Sequence, residues 1–125
     1  MNNIRLGNIM IDCDDEKGLC EFYYKLLGWE KSILFGRPAL CSDNGIIFLF
    51  TEEEQYLPPV WPEEKGRQQK QMHFDFQVPD VKKAVEYAKS LGAITAPDQF
   101  GNDEFVTMFD PSGHPFCLCA ESNIP

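Results

Sequence analysis

The chain has 125 residues, 43% hydrophobic and 13% aromatic, which is enough apolar material for a compact domain with a real core and argues against disorder. Its 11 Lys and Arg against 20 Asp and Glu leave a net charge of −9, which opposes binding to a phosphate backbone or an anionic bilayer, so neither nucleic acid nor membrane is expected as a partner. The longest apolar run, Ile46 to Phe50, is far short of the roughly 20 residues that span a bilayer, no signal-peptide segment opens the chain, and the five cysteines are odd in number and irregular in spacing, so a cytoplasmic protein with reduced thiols is expected.

From Leu6 to Cys13 the residues alternate, Ile9, Ile11 and Cys13 on one side and Asn8, Met10 and Asp12 on the other, as a strand with one buried face requires. Asp14 and Asp15 offer an N-cap and a first-turn carboxylate for a helix running to Leu27, with Leu19, Phe22, Tyr23, Leu26 and Leu27 at helical spacing and Gly28 as the stop. Strands follow at Trp29 to Phe35, Pro38 to Ser42 and Ile46 to Thr51, the last two joined by a turn ending in Asn44-Gly45. The segment 52–71 is charged and proline-containing, with Tyr56, Val60 and Trp61 as apolar anchors, and reads either as a plain connection or as a flap over a cleft.

After it the first pattern returns. Phe74, Phe76 and Val78 alternate with His73, Asp75 and Gln77, and Pro79-Asp80 leads a helix through Val81, Ala84, Val85, Tyr87, Ala88 and Leu91 before Gly92. The shift that carries Asp15 onto Asp80 carries Asn8 onto His73, and both helices end in Leu-Gly. Ile94 to Ala96, Phe105 to Asp110 and Pro115 to Ala120 supply the remaining strands, with Asp110-Pro111-Ser112-Gly113 as the last turn. The fold class is therefore α+β: paired βαβββ modules, about 4–51 and 72–121, joined by a linker 52–71 into one domain over 1–125, with a cupped mixed sheet and the helices outside.

The segments DCDDEKGLCEFYYKLLGWE, HFDFQVPDVKKAVEYAKSLGA and FDPSGHPFCLC together resemble the glyoxalase, bleomycin-resistance and extradiol-dioxygenase (vicinal oxygen chelate) superfamily, most of all its glyoxalase-like bacterial branch, from about Leu6 to Glu121. The resemblance implies a homodimer and a small-molecule cleft, but no single chemistry, because the superfamily includes isomerases, dioxygenases, epimerases, thiol transferases and drug-sequestering proteins. It also implies metal ligands, His or Gln and Glu, on the first and last strands of each module. Carried over by position, these fall on Asn8, about Phe48, His73 and Cys117, and only His73 matches the pattern, so the octahedral site for a hard divalent ion is incomplete.

Strand parity places Asn8, Asp12, His73, Asp75, Gln77, Cys117, Cys119 and Glu121 on the face that carries the family's ligand positions. His73 and Asp75, two residues apart, are candidate catalytic residues, since a carboxylate beside an imidazole fixes its orientation and favours a general base able to take a proton next to a carbonyl. Asn8, Asp12, Gln77, Trp61, Cys117 and Glu121 are the candidate ligand-binding residues. His73 is the candidate metal ligand, with Asp12, Asp75, Glu121 or Cys117 as partners for zinc, iron, nickel or manganese. Cys117 and Cys119 otherwise read as packing thiols, and His114 as a turn residue. Trp29, Phe35, Tyr56, Phe100 and Phe105 are aromatics near strand ends, some of them in the cleft, while Arg37 and Arg67 read as solvated charges.

Three functions are compatible with these residues. One is a binder of a small molecule in an acidic, aromatic-lined cleft, with the family metal site largely missing. The second is a metal-dependent or His/Asp-based lyase, isomerase or dioxygenase with shifted ligands. The third is an interaction protein whose cleft is filled by Met10, Phe48 and Phe50.

Overall fold

The computed structural model describes residues 3–121, which divide into two compact units, one ending at Tyr56 and the other beginning at Leu57. The first unit runs β1 (Ile9–Cys13), α1 (Glu16–Leu27), β2 (Glu30–Leu34), β3 (Arg37–Cys41) and β4 (Ile47–Glu52). The second runs β5 (Phe74–Val78), α2 (Val81–Ser90), β6 (Ile94–Thr95), β7 (Phe105–Phe109) and β8 (Pro115–Ala120). Each unit carries a four-stranded mixed sheet, ordered β1-β4-β3-β2 in one and β5-β8-β7-β6 in the other. In both, the first strand runs parallel to the last, and antiparallel hairpin pairing supplies the rest. The architecture is thus α+β, with the repeat inferred from the two Leu-Gly helix ends written into the strand order.

The helices begin and end where side-chain chemistry dictates. Asp15 caps α1 by accepting the Gly18 N–H at 3.0 Å, and Asp80 caps α2 by accepting that of Lys83 at 3.1 Å, each satisfying one of the donors a helix start leaves without a partner. Gly28 closes α1 in the left-handed region, φ 69°, with its N–H on the Tyr24 carbonyl. The first strand begins at Ile9, three residues later than the alternation from Leu6 suggests, and pairs with β4 from Phe48 onward.

In the first unit α1 lays Leu19, Cys20, Phe22 and Tyr23 on the sheet, and all four are buried. The Tyr23 ring stacks on Phe50 at 6.0 Å and meets Phe48 edge-on at 6.2 Å, so Phe48 and Phe50 point to the helix. This corrects two expectations. Phe48 does not occupy the family's ligand position, and Phe48 and Phe50 do not fill a cleft. A strand alternates with period two, so the side chain on the opposite face is the adjacent Leu49, paired with Met10. Leu49 is buried, whereas Met10 is 56% exposed.

In the second unit Phe76 packs on Phe116 at 6.0 Å, and Ala88, Met108, Phe116 and Leu118 are buried. The segment after Leu57 has no helix or strand but is not featureless. Val60 donates to the Gln68 carbonyl at 2.8 Å, Trp61 meets Phe100 edge-on at 6.1 Å, and the Lys70 ammonium lies 4.3 Å from the centre of the Trp61 ring while pairing with Glu63. No helix among the described residues is long and apolar enough to cross a membrane.

Candidate functional site

With Phe74, Phe76 and Val78 turned to the α2 side, alternation leaves His73, Asp75 and Gln77 on the other face of β5. The pairing then decides what stands beside them. Asp75 is opposite Cys117 and Gln77 opposite Cys119 across β5 and β8, and Cys117 is opposite Thr107 and Cys119 opposite Phe105 across β8 and β7. Two rows of side chains cross the sheet: Asp75, Cys117, Thr107, and below them Gln77, Cys119, Phe105.

At the first row, His73 Nε2 lies 3.0 Å from Asp75 Oδ1, with side-chain exposures of 37% and 60%. One donor atom each from His73, Asp75 and Cys117 falls within 4.8 Å of the other two. Cys117 is buried and its sulfur lies 3.3 Å from the Thr107 hydroxyl. Burial pushes the Cys117 thiol up, the Thr107 hydrogen bond pulls it down, and the Asp75 charge adds to the rise. The Lys70 ammonium also acts on Cys117, lowering it, which places the ordered 57–72 segment within electrostatic reach of this row. Burial, followed by the charge of Asp75, pushes Cys119 up to about 11. Burial thus favours the neutral thiol at both cysteines.

At the second row the surface dips into a concavity of about 320 Å³ lined by Asp75, Gln77, Glu104, Phe105 and Cys119. Glu104 stands at its rim because its N–H bonds to the Gly101 carbonyl and its carbonyl receives the Ala120 N–H, both at 2.9 Å. Gly101 is required there, since a Cβ would press on the carbonyl and ring of Phe105.

The remaining candidate residues lie elsewhere. Asn8 precedes β1 and the exposed Asp12 lies within it, both in the first unit. Glu121 is exposed just beyond β8, and Trp61 belongs to the cluster with Lys70 and Phe100. Glu104, Thr107 and Lys70 are neighbours of the site that the alternation argument missed. Thr107 was within reach, because the turn that pairs Phe109 with Pro115 puts Thr107 opposite Cys117 by counting back. His114 is a turn residue as read, with a specific partner. Its Nδ1 lies 2.8 Å from Asp110 Oδ2, and Asp110 Oδ1 accepts the N–H groups of Ser112 and His114 at 3.0 Å each, so a buried carboxylate ties the β7–β8 turn.

The donor chemistry bears directly on the metal of the resembled family. The first unit offers an amide at Asn8 and a hydrocarbon at Leu49, and the second offers His73 and Cys117, so a carboxylate is missing from both last-strand positions. This does not fit an octahedral, oxygen-rich site for a hard cation.

A family model described as the glyoxalase-like domain matches residues 8–119. Among curated proteins none matches the chain. Among solved structures, the fosfomycin resistance protein FosX of Listeria monocytogenes is 18% identical, with coverage of 98% of this chain and 94% of that one and a TM-score of 0.69. FosX of Mesorhizobium loti is 13% identical over 92% and 90%, TM-score 0.66. An integron cassette protein of Vibrio cholerae is 16% identical over 97% and 98%, TM-score 0.60. A variant of the Listeria protein was solved with Mn(II) and 1S,2S-dihydroxypropylphosphonic acid. At these identities the solved structures establish the shared fold, while the family model spans nearly the whole chain. The protein belongs to the glyoxalase-like domain family.

Proposed function

We propose that the protein binds a small organic molecule on the open face of β5, β7 and β8, with a cationic or hydrogen-bond-donating group against Asp75, Gln77 and Glu104 and an apolar part against Phe105. The observation that carries this reading is the concavity itself, in which a ring and a neutral thiol meet two carboxylates and one amide. The net charge of −9 strengthens it by drawing cations toward the molecule and repelling anions. The protein is expected to be a homodimer, which light scattering on purified protein checks, and cytoplasmic, which cell fractionation checks.

The test is an NMR titration of ¹⁵N-labelled protein with benzylamine and, separately, with benzoate. Benzylamine should move the amides of Gln77, Glu104, Phe105 and Cys119, and Glu104→Gln should weaken the effect several-fold. Equal or stronger shifts with benzoate, or shifts confined to other residues, would sink the reading.

The 3.0 Å contact of His73 with Asp75 favours a second reading, an enzyme of the lyase or isomerase kind in which His73 takes a proton from a substrate carbon next to a carbonyl and Asp75 fixes the imidazole. The pair lies beside the concavity through their shared Asp75. Its check is exchange of substrate C–H for deuterium in ²H₂O with simple α-hydroxy ketones, abolished in His73→Ala.

A further inference from the structure

We propose that Asn44-Gly45, in the β3–β4 turn, is a site of intramolecular deamidation, in which the Ser42 hydroxyl assists the conversion of Asn44 to isoaspartate and aspartate. The site lies in the first unit, whereas the small-molecule reading concerns β5, β7 and β8 of the second, so the two stand or fall separately.

Asparagine is among the thermolabile side chains, and its lifetime depends on the residue that follows it. The backbone nitrogen of that residue must reach the side-chain carbonyl carbon, and a Cβ on the successor stands in the way. Gly45 has none, and the position a Cβ would take has nothing within 4 Å. Its φ of 90° is one that glycine adopts without steric cost. Asp43, Asn44 and Gly45 are all exposed, so water and hydroxide reach the reacting atoms. Asn8, by contrast, is followed by the β-branched Ile9, and Asn102 by Asp103.

The folded turn adds what the dipeptide alone lacks. Ser42 Oγ accepts the Ile46 N–H at 2.8 Å, which turns its own proton away from that bond, and it donates to Asn44 Oδ1 at 2.6 Å. Negative charge develops on that oxygen when the Gly45 nitrogen attacks Cγ. A donor already in place there stabilises the transition state as an oxyanion-hole donor does, with a smaller effect because the site is exposed. The Gly45 N–H donates to the Ser42 carbonyl at 3.1 Å, near the long end of the hydrogen-bond range, and loss of that bond releases the nucleophile.

In the reaction a base takes the Gly45 amide proton and the nitrogen bonds to Asn44 Cγ. The bond from Cγ to the side-chain nitrogen then breaks, and that nitrogen takes a proton from water and leaves as ammonia. Water adds to either carbonyl of the resulting succinimide, giving aspartate or isoaspartate, so the whole change consumes one water and needs no oxidant. Each product sets a new carboxylate beside Asp43 in a protein whose net charge is already −9. Isoaspartate also inserts a methylene into the backbone of the turn that follows the Cys41–Ile47 pair.

The test holds the untagged full chain at mildly alkaline pH in H₂¹⁸O for several weeks and follows its peptides by mass spectrometry, with electron-transfer fragmentation separating the two isomers. Asn44 should exchange its side-chain nitrogen for ¹⁸O at least roughly tenfold faster than Asn8 or Asn102, and Gly45→Ala should slow it by a similar factor. Ser42→Ala should slow it by about fivefold in the folded protein, while Ser42→Thr, which keeps the hydroxyl, should not. In concentrated urea, where the turn is lost, the effect of Ser42→Ala should vanish. Circular dichroism confirms that each variant is folded. The proposal is overturned if Asn44 reacts no faster than Asn102, if Ser42→Ala leaves the folded rate unchanged or raises it, or if the slowing persists in urea.

Discussion

The two units share one strand order and one capping scheme, yet their sheets present different chemistry. In the first unit the positions equivalent to Asp75 and Cys117 hold Met10 and Leu49. In the second the same face carries an imidazole, a carboxylate, an amide and two thiols. Packing dictates what both units have in common, the apolar side of each sheet and the aspartate that starts each helix. On the other face, where Leu49 and Cys117 are both buried, the two have diverged. A repeat can therefore hold its architecture in duplicate while concentrating reactive groups in one copy.

The comparison can be tested by paired substitutions. The largest effect is expected in the cores, where Phe50→Ala and Phe116→Ala each remove a fully buried ring and should cost about 3–5 kcal/mol in denaturant unfolding. Equal losses support equivalent packing, and a loss confined to one variant breaks the equivalence. The β3–β4 and β7–β8 turns offer a sharper contrast. Gly45 and Gly113 both have positive φ, 90° and 92°, but a Cβ at Gly45 meets nothing whereas one at Gly113 would lie 2.8 Å from Cβ of Pro58. Gly45→Ala should cost only conformational strain, about 1 kcal/mol, and Gly113→Ala about 2–3 kcal/mol, read from the same unfolding curves. The caps come next, with Asp15→Ala and Asp80→Ala each expected to cost about 1 kcal/mol.

Thiol chemistry gives a smaller and more local signal. Because Cys119 is pushed up to about 11, it is protonated at pH 8, and its alkylation by iodoacetamide should climb about tenfold per pH unit towards that value, followed by mass spectrometry of its peptide. Ready labelling at pH 7 would contradict the neutral thiol. Smallest of all, Lys31→Ala breaks an exposed pair with Glu21 and should leave stability unchanged within error.

Much of this architecture was legible from residue spacing. Asp15 and Asp80 mark both helix starts, Gly28 marks one helix end, and the alternation of Phe74, Phe76 and Val78 fixes the face on which His73 and Asp75 lie. Register was harder to read. Taking Phe48 rather than Leu49 as the last-strand position was an error of one residue, and in a strand one residue exchanges the faces. Glu104 and Lys70 escaped notice for another reason. They come from irregular segments, where no periodicity ties a side chain to a face, and only tertiary structure brings them to β5 and β8.

The parallel pairing of each unit's first and last strands constrains how the chain folds. The helix and the hairpins assemble from near neighbours, but β1 has no partner until β4 has formed, and β5 waits likewise for β8. Closing such distant contacts demands loop entropy before any stabilisation is returned, so strand docking rather than helix formation should limit the rate in both units. Pulse-labelled hydrogen exchange should accordingly protect the amides of α1 and the β3–β4 hairpin before those of β1. A newly made chain would then carry an unpaired β5, with His73 and Asp75 beside it, until its final strand is complete.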